Sequence, residues 1–139
     1  MSSIVKPESG SSLRNRLLKN IAGALRYGAQ NAPERDELRD MVAFIILSLA
    51  QVQESLQATI LAWEKRGYWL KADRFQRDWT WVRQSMDELQ SALRQDDVES
   101  SLPILAELAS NLGTIKPSKK AMGAQLWKGA WKSWKKQNF

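Results

Sequence analysis

Two stretches of this chain concentrate the residue types that recognise other molecules. The first is residues 63–81 (WEKRGYWLKADRFQRDWTW), where four tryptophans are interleaved with Arg66, Arg74 and Arg77. Trp, Tyr and Arg dominate interface hot spots, and aromatic rings beside guanidinium groups also stack nucleobases. Helical spacing assigns Trp63, Trp69, Phe75 and Trp79 to a buried seam, with cation–π support from neighbouring arginines. Trp81 falls off that seam, which makes it, with Arg74 and Arg77, the candidate partner-binding group of this segment.

The second stretch is residues 113–139, which hold seven lysines and no carboxylate, against a net charge of +6 for the whole chain. On a helical wheel Trp127, Trp131 and Trp134 fall within about 60° of one another, while Lys128, Lys132, Lys135 and Lys136 occupy a separate arc. These seven residues are the second set of candidates. Three readings follow. A Trp/Lys helix can lie on an anionic membrane surface with its indoles at headgroup level. Its lysines can contact nucleic-acid phosphates. Or its indoles can cover the aromatic segment at residues 63–81, with the lysines facing Glu64, Asp73 and Asp78.

The acids offer less. Asp96, Asp97 and Glu99 sit in a polar turn where helix capping is the expected role, and Asp36, Glu37 and Asp40 read as a solvated helix face. With no Cys and no His, the chain has no thiolate or imidazole chemistry, no disulfide, no Cys/His zinc site and no Glu-x-x-His di-iron motif. A calcium loop and a phosphate-cradling glycine loop are also missing from the sequence. No catalytic residue, cofactor or metal ligand is assigned, and the expected class is non-enzymatic.

The elements that must carry these groups are helical. Residues 1–10 read as a flexible lead-in. Ser11 or Ser12 is expected to cap a first helix over about 12–30, and Pro33 opens a second over about 33–66, closed by Gly67. A third, about 68–95, places Ala72, Phe75, Trp79, Val82, Met86, Leu89 and Leu93 at alternating spacings of three and four, the seam of coiled-coil-like packing. A fourth is expected over about 101–112, and residues 119–136 within the basic tail (114–139) form a candidate fifth. The ten-residue apolar run at 41–50 falls short of the roughly 20 residues a bilayer crossing needs, so it reads as core.

These lengths predict an all-α fold: a long antiparallel helical hairpin turning at Gly67, within a four-helix bundle, followed by the Trp/Lys tail. The first and fourth helices have about half the length of the hairpin arms. The Gly67 end is therefore expected to protrude with its aromatics short of partners. The corresponding function is a cytoplasmic adaptor or assembly protein that binds a protein partner through the aromatic tip and tail. Self-association as a homodimer, nucleic-acid binding through the basic termini, and membrane association through the tail are the other readings. No apolar leader follows Met1, and no small-molecule substrate is indicated.

Overall fold

A computed structural model describes residues 9–119 and 123–138 of the chain. The expected flexible segment at 1–10 lies almost wholly outside these residues, as does Lys120. Among the described residues the fold is all-helical, with six α-helices and no strand.

Helix α1 spans Gly10–Asn31. Its cap is Ser9, whose hydroxyl accepts the N–H of Ser12 at 3.2 Å, so Ser11 and Ser12, the expected caps, lie inside the helix. Ala32 leaves in the left-handed region at φ 42°, and the chain then crosses to α2 through Pro33 and an extended Glu34. Helix α2, Arg35–Lys65, thus starts two residues later than the proline suggested. Asp36 and Glu37 lie in its first turn and Lys65 in its last, each matched to the sign of the helix dipole there.

At the end of α2 the N–H of Gly67 reaches the carbonyl of Glu64 at 3.0 Å, and that of Tyr68 reaches Trp63 at 2.9 Å. This reciprocal pair is a Schellman closure, and it needs the left-handed backbone that Gly67 supplies at φ 79°. The same closure ends α4, where Asp96 takes the left-handed position at φ 53°.

The third helix expected over 68–95 is divided into α3 (Trp69–Asp78) and α4 (Thr80–Arg94). The physical reason is a ring contact. Trp79 stacks on Trp81 at 5.8 Å, and residues two apart do not face each other on a regular helix. Trp79 leaves helical geometry (φ −110°, ψ 11°) and allows the stack. After α4 a 3-10 turn at Val98–Ser101 leads into α5, Leu102–Asn111, with Pro103 in its first turn as expected.

Of the fifth helix expected over 119–136, residues 120–122 lie outside the described ones, and the described part becomes helical from Ala130 after a short 3-10 turn at Ala124–Leu126. Residues 127–129 form a turn in which Gly129 sits at φ 84°, and α6 covers Ala130–Asn138.

Helix α2 is the centre of the fold and touches α1, α3, α4 and α6. Its Val42, Ile45, Leu49 and Val52 are fully buried, meeting Leu18 and Ile21 of α1 and Val82 and Leu89 of α4 in one apolar cluster. By length and composition α2 could also cross a membrane, but its apolar stripe is turned into this cluster. Polar contacts fix α1 on α2: the buried Arg14 donates to Ser55 Oγ at 2.8 Å and to Thr59 Oγ1 at 3.2 Å. Its guanidinium also lies 5.4 Å from the Phe75 ring centroid. Burial pushes the Arg14 pKa down.

Candidate functional site

The two groups of candidate residues end up in different surroundings. In the tail, alternation on the helix wheel becomes a division between inside and outside. Trp127 and Trp134 are each only 1% exposed, whereas Lys128, Lys132, Lys135 and Lys136 all face solvent. Trp127 lies edge-on to Tyr27 at 5.0 Å and tilted against Phe44 at 6.2 Å. Trp134 donates its indole N–H to Gln90 at 3.4 Å and stacks on Trp131 at 5.4 Å. Trp131 is half-buried under the guanidinium of Arg39, 4.5 Å from its ring centroid.

Asp40 holds this arrangement. Its carboxylate accepts the backbone N–H groups of Gly129 and Trp131, which occupy the start of α6. An acid expected on a solvated face is therefore the cap of a distant helix. No signal in the sequence marks it, because Asp40 lacks local features that separate it from Asp36.

The tail thus occupies the N-terminal part of α2, not the Gly67 corner, where one of the three readings set its lysines facing Glu64, Asp73 and Asp78. Asp40 and the end of α2 are separated by roughly 40 Å of helix at 1.5 Å per residue. One cause is the shortness of α5, whose 10 residues do not reach the corner. Beyond it the chain meets α1, where the N–H of Ser118 donates to the carbonyl of Lys19 at 2.9 Å.

Among the described residues, none covers the Gly67 corner. Tyr68, Trp69 and Leu70 are 52%, 64% and 62% exposed, and Leu61 near the end of α2 is exposed as well. Trp69 was expected in the seam. It instead precedes the seam's first buried residue, Ala72, and points outward. The missed residues Tyr68 and Leu70 had one usable signal, their position between the capping glycine and that alanine. Trp63 and Phe75 do pack inward, edge to face at 4.9 Å.

Arg74 is exposed and lines a shallow depression with Gly67, Tyr68, Trp69, Leu70 and Lys71. Arg77 is exposed and pairs with Asp73 one turn earlier. Trp81 is half-buried through its stack on Trp79. The corner therefore joins Arg74 to Trp69 and Leu70, while Trp81 belongs to a neighbouring aromatic row with Phe75 and Trp79. Among the described residues no three His, Cys, Asp or Glu side chains converge on a metal-binding position.

Comparison with protein-family models, with curated proteins and with solved structures finds no match for this chain.

Proposed function

We propose that this chain is a non-enzymatic helical adaptor that binds a protein partner through the Gly67 corner. On this reading residues 35–94 form a long antiparallel hairpin within a four-helix bundle. Support comes from contacts at both ends: Trp63 against Phe75 beside the corner, and an ion pair between Arg35 and Asp96 at 3.2 Å at the other. The observation that carries the functional reading is the run Tyr68-Trp69-Leu70, three consecutive large side chains left more than half exposed. Such a contiguous apolar surface, edged by Lys71 and Arg74, has the composition of an interface hot spot.

The burial of Trp127 and Trp134 supports a structural role for the tail and gives tail-mediated membrane association less support. A second reading, a nucleic-acid-binding accessory factor, is favoured by the outward set Lys128, Lys132, Lys135 and Lys136. That reading predicts affinity falling steeply with salt and lost when these four become Gln.

The adaptor reading is tested with a photo-crosslinking residue at position 70 in the native cell. A discrete protein adduct, abolished by Trp69→Ala together with Arg74→Glu, is the expected result. Crosslinking to no protein, or an adduct unchanged by those substitutions, overturns it.

A further inference from the structure

At the other end of the molecule α1, the start of α2 and α5 line an open cleft of about 430 Å³. Ala29 of α1 and Ala106 and Ala109 of α5 line it with small side chains, while the position a Cβ would take at Gly28 is filled by Met41. Small residues facing small residues leave nothing to interdigitate, so the volume between the helices stays unfilled. Every side chain that lines it is apolar. A second depression of about 370 Å³ continues it toward the end of α5, sharing Leu25, Ala29 and Ala109. There Arg26 and Gln30 of α1 join the wall, and Arg26 is the one charged side chain in either lining among the described residues. Arg26 is exposed and forms no ion pair with any described residue.

We propose that this cleft binds a single-chain anionic amphiphile of the fatty-acid class, with its hydrocarbon chain between Ala29 and Ala106 and its carboxylate on Arg26. Three features select that occupant. The walls of the deeper part offer no hydrogen-bonding side chain, which excludes a polar ligand and leaves water without the partners it needs there. Between them the two depressions are lined by residues from Leu102 to Leu112, so they follow α5 for about 15 Å, a length that an extended chain can occupy. The one charge among the described lining residues, the Arg26 guanidinium, matches a carboxylate in sign and in its paired-donor geometry. The larger cavity alone falls within the roughly 300–1,000 Å³ typical of small-molecule sites. This site is remote from the Gly67 corner, and its occupancy is independent of the adaptor reading.

Calorimetric titration of the full chain with dodecanoate below its micellar concentration, and in parallel with dodecanol, tests the assignment. Saturable binding of one dodecanoate per chain is expected, together with a raised melting temperature. Arg26→Gln should weaken dodecanoate about tenfold and leave dodecanol unchanged, as loss of one charge-assisted contact requires. Ala109→Trp fills the shared wall and should abolish both. If that variant does not fold, Ala29→Phe on the opposite wall replaces it. Absence of saturable binding overturns the proposal, as does binding that survives a folded cleft-filling variant. Equal affinity of wild type and Arg26→Gln for dodecanoate removes the anionic assignment. A dimer in sedimentation that Ala109→Trp dissociates gives the cleft to a second copy of the chain and likewise overturns it.

Discussion

Asp40 in α2 accepts the backbone N–H of Trp131 at 2.9 Å, and the two residues are 91 positions apart in the chain. The other carboxylate oxygen takes the N–H of Gly129 at 3.2 Å. The first N–H groups of a helix have no partner within it, and a negative charge there is favoured by the helix dipole. A side chain from the centre of the fold thus supplies what the tail lacks locally, and Arg39 closes over the same indole.

Asp40→Ala should cost about 1–2 kcal/mol, the range for losing an N-cap. Denaturant unfolding reads the loss as a lower midpoint, and indole emission shifts red as Trp131 becomes wet. Asp40→Asn, which keeps one acceptor, should lose less.

Trp127→Ala should be among the most damaging single changes, at about 3–5 kcal/mol for emptying a fully buried aromatic site. Its indole nitrogen has no hydrogen-bond partner among the described residues. Trp127→Phe removes that unsatisfied donor and should cost clearly less than the alanine change. Thermal unfolding of the two variants side by side checks the order.

Gly67→Ala isolates a backbone effect. A methyl group there would meet nothing within 4 Å, yet φ is +79°. The expected loss is about 1–2 kcal/mol from the left-handed conformation alone. The dependence of unfolding free energy on denaturant should keep its slope, since the surface buried is unchanged.

Tyr27 holds its proton more tightly than a free tyrosine. The hydrogen bond to Glu37 is the main cause, with burial and the carboxylate's charge adding to it. Between the ordinary tyrosine pKa of about 10 and the raised folded value, the native state binds the proton and the unfolded state does not. Stability from this contact is therefore complete below pH of about 10 and falls as pH rises through the folded pKa. In a Tyr68→Phe background, tyrosinate absorbance should titrate at lower pH once Glu37→Gln is introduced.

Trp69→Ala should change stability by no more than about 0.5 kcal/mol, because the indole is largely in water. Trp134→Ala, of identical chemistry, should cost several kcal/mol. Equal losses in denaturant titrations of the two would refute the division between a bare corner and a buried tail.

The sequence by itself determined the helical periodicity, the closure at Gly67, the inward set from Ala72 to Leu93 and the concentration of positive charge after residue 112. Each is a local property: a 3.6-residue repeat, a left-handed residue, or a count. Tertiary structure decided which apolar face meets which. Trp69 and Trp134 both lie beside cations on amphipathic stretches, but one is open to water and the other is sealed against α2 and α4. The break at Trp79 accompanies its stack on the Trp81 ring, and the role of Asp40 needed a helix from the far end of the chain. Helical spacing states that a face must be covered, but not by what, because burial energy follows area with little regard for the partner's identity.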